Sequence, residues 1–336
     1  MPRLLQARDC DLDSVQSILV VKPSSLGDIV HTLPAVQLIV ARHPHIEIRW
    51  VANTEWTPLL KGHPDIDEII PFPRREMRGL GAPFKFWNWS KTLSEPAPPD
   101  LTLDFQGLLR SALIARRSKA PLIAGLSDAR EGARHFYHRI AQVDECAHAA
   151  DRYLALVAAL GIKIPDEIDT RLPPGQSPSG YFPPDFLLLH PFSRGEGKSL
   201  SPEHVRLFCE EMAPFPVVIA GRWDEALTDL PDNANNLLNN TSLPELIWLM
   251  EKANFTVSVD SGPMHMAAAI SNRVLGIHTW SDPSKVGPYR KAAHVWKNGH
   301  ILSVADWNEK RPEGSEVISD RSVKTISAWV KEAVGV

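Results

Sequence analysis

The chain has 336 residues, 43% of them hydrophobic and 23% charged, with a formal net charge of −4 at neutral pH. Two ordinary domains fit that length, the composition is that of a globular chain, and the charge argues against a general nucleic-acid binder. No run nears the roughly 20 apolar residues of a transmembrane helix, the Asp-rich start is no secretory signal, and Cys10, Cys146 and Cys209 lack metal-ligand spacing, as in a reduced cytoplasmic protein.

In chain order, Ile18 to Val21 reads as a buried strand. A Pro-Ser-Ser-Leu-Gly turn follows it, and an apolar-periodic helix runs from about Asp28 to Arg42. Asp28 is then either a helix cap or a carboxylate at the strand edge where open α/β sheets bind ligands. Ile46 to Val51 and Ile66 to Phe72 read as strands, as does Leu101 to Phe105, which a helix over Gln106 to Arg117 follows. Leu122 to Gly125 is a short strand, and His148 to Leu160 a helix that Gly161 ends. Residues 165–184 are rich in Pro and Gly and read as a linker.

The second half repeats the alternation. Strands are expected at Phe186 to His190, Val217 to Gly221, Phe255 to Val259 and Val274 to Ile277. Helices are expected at Pro202 to Met212, Leu243 to Lys252, Gly262 to Ile270 and Ser322 to Val334. The expected organisation is a domain over 1–165, a linker over 166–184, a second domain over 185–320 and a closing helix over 321–336. Alternating strands and helices imply two parallel-sheet domains facing each other across a ligand cleft.

Neither half holds a Gly-x-Gly-x-x-Gly fingerprint or a P-loop, so nicotinamide chemistry loses its best support. Two loops suit an anion instead. At Asp260-Ser261-Gly262-Pro263-Met264-His265 a strand opens into an Ala-rich helix, whose first N–H groups fit a phosphate or an ordinary turn. At Ser193-Arg194-Gly195-Glu196-Gly197-Lys198 two cations and two glycines follow a strand. Asp11-Leu-Asp13 and Asp65-Ile-Asp67 have the spacing of metal-dependent glycosyltransferases but stand away from these loops, and both read as solvated turns.

These motifs carry a resemblance. Lys22 to Pro34, Asp104-Phe-Gln-Gly-Leu-Leu-Arg-Ser-Ala112, Asp128-Ala-Arg-Glu131, His148-Ala-Ala-Asp-Arg152, Ser193 to Lys198, Asp260 to His265 and Asp282 to Tyr289 occur in family order. In them the chain resembles the ADP-heptose–lipopolysaccharide heptosyltransferases, glycosyltransferase family nine, and most closely their heptosyltransferase I branch. The resemblance implies a GT-B fold of two Rossmann-like domains, an inverting mechanism, and no metal or other cofactor. It implies Asp28 as the general base. Ser193, Arg194, Lys198, Asp260, Ser261, Gly262 and His265 then meet the nucleotide-sugar donor, ADP-heptose. Ser25, Gly27, His31, Gln106, Arg110, Arg130 and Arg134 meet an anionic, Kdo-bearing lipid A acceptor. By the same resemblance the family's acidic donor contact falls on Asp224 or Glu225.

An acceptor of that charge suits the first half. Residues 1–165 carry a net charge of +2 and the remainder −6. Arg74, Arg75, Arg78, Lys85 and Lys91 crowd one stretch, and Phe84-Lys85-Phe86-Trp87-Asn88-Trp89 interleaves aromatics with cations as an interfacial segment does. The same aromatics would equally serve as a local cover for the sheet. The expected location is the cytoplasmic face of the inner membrane, held peripherally. A GT-B enzyme using another nucleotide sugar, an epimerase, or a silent nucleotide-binding scaffold remain alternative readings.

Overall fold

The computed structural model describes residues 2–180, 182–310 and 317–336; Tyr181, inside the expected linker, lies outside them. The chain divides into two compact units, Met1–Pro173 and Pro174–Val336. Among the described residues each unit holds one seven-stranded sheet.

Unit 1 runs β1 (Arg3–Leu4), β2 (Ser17–Val21), α1 (Leu26–Arg42), β3 (Glu47–Asn53), α2 (Thr57–Leu60), β4 (Glu68–Phe72) and α3 (Ala82–Trp89). It continues with β5 (Leu101–Asp104), α4 (Leu109–Arg117), β6 (Leu122–Leu126), β7 (Arg139–Ala141) and α5 (Ala149–Ala159). The strand order is β1-β7-β6-β5-β2-β3-β4, all parallel. Successive strands run one way from β2 and the other way from β5. The β2/β5 boundary is therefore the switch point, where a crevice opens beyond the carboxyl ends. Ile18 to Val21 are fully buried, as an apolar strand covered on both faces must be.

Unit 2 runs β8 (Leu187–His190), α6 (Pro202–Met212), β9 (Val217–Ile219), β10 (Ala234–Asn236), α7 (Leu243–Lys252), β11 (Phe255–Val259) and α8 (Gly262–Ile270). It closes with β12 (Val274–Ile277), α9 (Pro283–Val286), β13 (His294–Lys297), β14 (His300–Ser303), α10 (Val304–Lys310) and α11 (Asp320–Val334). Its order, β10-β9-β8-β11-β12-β13-β14, puts the switch point between β8 and β11, with only the β13–β14 pair antiparallel. The closing helix α11 packs on α6 and sends Ile326 and Val330 into the unit 2 core.

Two helix starts differ from the sequence reading for clear local reasons, and two elements lie outside that reading. Helix α1 starts at Leu26 rather than near Asp28, because Ser25 and Asp28 form a reciprocal capping box. Helix α4 starts at Leu109 rather than Gln106. The Asp104 carboxylate takes the N–H groups of Gln106 and Gly107, and Gly107 turns at φ 68°. The aromatic segment is itself a helix, α3. The hairpin β13–β14 went unread although Asn298-Gly299, at φ 51° and 73°, is the turn such hairpins favour.

Candidate active site

At the unit 1 switch point lies a cavity of about 440 Å3, lined among others by Lys22, Asp28, Gln106, Asp128, Arg130, Arg152 and Tyr153. Lys22 follows β2 and is 2% exposed. Its ammonium donates to the Phe105 carbonyl at 2.9 Å and to the Tyr153 hydroxyl at 2.7 Å. Tyr153, from α5, in turn donates to Asp28 Oδ1 at 3.1 Å. Asp28 Oδ2 accepts from the Ser25 N–H at 3.0 Å and its hydroxyl at 2.6 Å.

Those contacts set the charges. Burial pushes the Asp28 carboxyl up, but the Lys22 charge and the bonds from Ser25 and Tyr153 outweigh it and hold it below the usual carboxylate value. Burial lowers the Lys22 pKa, opposed by Asp28 and Asp104. Burial raises the Tyr153 phenol well above its usual value, and the Asp28 charge adds to that, so it is a fixed hydroxyl donor. The two sequence readings of Asp28 therefore coexist: it caps α1 and also lines the cavity.

Asp104 shapes the neighbouring corner. Fully buried, it accepts from Gln106 N at 2.9 Å, Gly107 N at 3.1 Å and Tyr137 Oη at 2.8 Å. Burial raises its pKa, and these bonds oppose the rise. The corner holds Gln106 at the cavity, where its side-chain oxygen accepts from Ser24 N at 3.1 Å. On the far side Arg152 ion-pairs with Asp128.

Of the residues expected to meet an acceptor, Gln106 and Arg130 line this cavity with Asp28. Ser25 sits beside it as the α1 cap, and Gly27 is buried in the first turn. His31 is buried edge-on to His148, with ring centroids 4.9 Å apart. Arg110 is exposed on α4, and Arg134 donates to the Ser127 carbonyl at 3.2 Å. Lys22 and Tyr153 were missed as site residues. Lys22 opens the first family motif, whereas Tyr153 stands one place beyond His148–Arg152 with nothing local to mark it.

At the unit 2 switch point the two expected loops meet. Lys198 Nζ lies 2.6 Å from Asp260 Oδ2, so two of the residues expected to meet the donor are ion-paired with each other. Burial pushes the Asp260 carboxyl up, yet His278, Lys198 and Ser281 hold it below its usual value. Burial brings His278 and His190 down to about 4, leaving both neutral at neutral pH. The indole of Trp280 lies against the Lys198 ammonium, 4.6 Å from ring centroid to Nζ.

Helix α8 opens at Gly262 with no side-chain cap. The Ser261 hydroxyl instead faces Ser258 at 3.3 Å and His190 at 3.4 Å. An uncapped first turn beside a cation is suited to an anion. Ser193 orders its loop: its N–H donates to Ser199 Oγ at 2.9 Å, and its hydroxyl accepts from Gly195 N at 3.4 Å. Arg194 is exposed, and His265 is buried in α8. Asp224 and Glu225 are exposed beyond Trp223, which stacks on Phe192 at 4.2 Å.

The Asp-x-Asp pairs divide. Asp11 and Asp13 lie on an exposed turn as expected. Asp65 does not: it is buried and takes both Arg171 contacts, at 2.9 and 3.2 Å, which corrects the reading of a solvated turn. The aromatic segment divides too. Trp89 packs edge-on against Phe72 at 4.8 Å, while Phe84 and Trp87 are 69% and 49% exposed. Among the described residues no helix is long and apolar enough to cross a membrane.

Comparison with known proteins gives a consistent match. The profile of glycosyltransferase family 9 (heptosyltransferase) matches residues 91–177 and 203–315. Lipopolysaccharide heptosyltransferase 1 of Pseudomonas aeruginosa is 29% identical over 295 residues, covering 83% of each chain. The Escherichia coli K12 protein of the same name is 28% identical over 297 residues, 82% of this chain and 91% of that one. Among solved structures, E. coli heptosyltransferase WaaC with ADP superposes with a TM-score of 0.76 at 23% identity, covering 94% of this chain and 99% of that one. A family 9 glycosyltransferase from Veillonella parvula gives 0.77 at 18% identity, over 97% and 98%. The fold is the heptosyltransferase GT-B class expected from the sequence.

Proposed function

The chain belongs to glycosyltransferase family 9, the heptosyltransferases, and from that premise we propose that it moves a heptose from ADP-heptose to a Kdo-bearing lipid A acceptor. The acceptor hydroxyl oxygen attacks the anomeric carbon, and the bond from that carbon to the diphosphate breaks. The electron pair leaves with ADP, and the hydroxyl proton passes to Asp28. Displacement from the face opposite the leaving group inverts the anomeric centre.

One observation carries this reading: a carboxylate lines the unit 1 cavity at the switch point of its sheet, with its charge kept by Lys22. A base must be ionised and within reach of its proton. Lys198 and the first turn of α8 are suited to the charge that develops on the leaving diphosphate. With those groups supplying the positive potential, the proposed transfer is independent of added metal. The names of two relatives, lipopolysaccharide heptosyltransferase 1, support the choice of substrates.

The test is transfer from ADP-heptose to Kdo-lipid A by the full chain in EDTA. Product with an inverted anomeric centre is expected. No product with this pair, but product with another nucleotide sugar, would replace the donor and leave the chemistry in place.

The same reading includes work at an anionic membrane surface. Phe84 and Trp87 project from α3 beside Lys85 and Lys91, and the Lys91 ammonium sits 4.3 Å from the Trp87 ring centroid. Aromatics flanked by cations suit the headgroup region. The double variant Phe84→Ser/Trp87→Ser is expected to lose at least about tenfold in affinity for anionic vesicles, given the apolar area removed. Transfer to a delipidated Kdo acceptor should be unchanged. Equal vesicle binding by variant and wild type would remove α3 from the membrane contact.

A further inference from the structure

The carboxylate of Asp28 receives its hydrogen bonds unequally. Oδ2 takes two, from the N–H and the hydroxyl of Ser25, and these fill both of its lone pairs. Among the described residues Oδ1 takes one, from Tyr153 at 3.1 Å, and keeps a second lone pair. The direction of that bond is fixed. A carboxylate only accepts, so the phenol hydrogen must point to Oδ1, and the Tyr153 oxygen is left to accept from Lys22 at 2.7 Å.

Packing holds the relay still. Lys22 is 2% exposed and is also tied to the Phe105 carbonyl. Tyr153 is buried, with its ring edge-on to Phe105 at a centroid distance of 5.9 Å. Burial and these contacts tie both side chains in place. We propose that Tyr153, steered by Lys22, is the positioning residue of the base: it occupies one lone pair of Asp28 Oδ1 so that the other takes the acceptor's proton. This rests on the reading of Asp28 as the base.

The charged groups around Asp28 come from several elements: Lys22 after β2, Asp104 at the end of β5, Asp128 and Arg130 after β6, Glu145 before α5, and Arg152 on α5. Tyr153→Phe removes only the phenol oxygen: Lys22 loses its bond to that oxygen but keeps the one to the Phe105 carbonyl, and none of the charged side chains is itself replaced. Losing a hydrogen bond to the ionised form raises the Asp28 pKa. A base must be deprotonated to act, so the acid limb of kcat/KM moves to higher pH, by on the order of one unit. At pH well above that limb, a more basic carboxylate alone would speed transfer. A fall in plateau kcat of about tenfold, with acceptor KM held within about twofold, therefore isolates the lost positioning.

The experiment titrates Asp28 by carboxyl 13C NMR in the full chain, for wild type, Tyr153→Phe and a form with 3-fluorotyrosine at 153. Transfer kinetics are measured on the same three proteins. The fluorinated ring keeps the hydroxyl and its packing, so folding is not at issue. As the more acidic phenol it should donate more strongly and shift the Asp28 titration down, opposite to Tyr153→Phe. Opposite shifts together with the plateau loss support the proposal. An Asp28 titration unmoved by either change, or an unchanged plateau kcat in Tyr153→Phe, overturns it. Inactivity of the wild type with the stated substrates would strike the functional reading instead, because the NMR shifts need no substrate.

Discussion

Asp28→Asn is expected to lower kcat by about 10²–10⁴-fold, the usual worth of a positioned general base, while ADP affinity measured by calorimetry stays within about twofold. Asn is the informative replacement because Asp28 does two things. Its Oδ2 closes the capping box with Ser25 at the start of α1, and an amide oxygen can still accept those bonds. Asp28→Ala removes the cap as well, and its melting curve should show an added loss of about 1 kcal/mol. A matched fall in kcat for both variants, with only Ala destabilised, separates base from cap. Wild-type activity should persist to low pH. The carboxyl is held below its usual value of 3.8, so the base stays ionised across the neutral range, and the acid limb lies below that value. The same sign holds for stability: a depressed carboxyl contributes above its unfolded pKa and is lost as pH falls through the folded one. Retained transfer by Asp28→Asn would end the base assignment.

Lys198→Ala is expected to weaken the donor by about 10²–10³-fold in kcat/KM, in line with about 2–5 kcal/mol for truncating one partner of a buried charge pair. The loss has two parts. A cation that would meet the leaving diphosphate disappears, and Asp260 is left as a largely buried anion without its cation where the proposal places that diphosphate. The second part can be removed separately. Adding Asp260→Asn to Lys198→Ala should recover about tenfold of ADP affinity, a coupling expected only of residues in direct contact. ADP affinity unchanged in Lys198→Ala would take Lys198 out of the donor site.

How much of this was legible varied with the range of the interaction. The strand before Asp28 was readable because Ile18 to Val21 is an unbroken apolar run. Helices α6 and α7 were readable because Ser201-Pro202 and Ser242-x-x-Glu245 are start signals that act within three residues. Helix α3 was harder. Its residues read as an interfacial stretch, and only packing shows Trp89 turned inward, donating to the Pro71 carbonyl at 2.8 Å, with Phe84 turned out. The hairpin at Asn298-Gly299 did carry a local signal that the reading passed over.

The site divides along the same line. The sequence alone determined the two alternating α/β halves, the carboxylate after the first strand and the two anion-suited loops, since each follows from residues close together in the chain. Only the tertiary structure joined Asp28 to Tyr153 across 125 residues and Lys198 to Asp260 across 62. The physical reason is the parallel sheet. Its strands are brought side by side in an order that differs from chain order, so the groups at a switch point come from distant segments. What those groups do to one another (the lowered Asp28 carboxyl, the ion-paired Lys198) depends on burial and distance, and neither exists until the chain has folded.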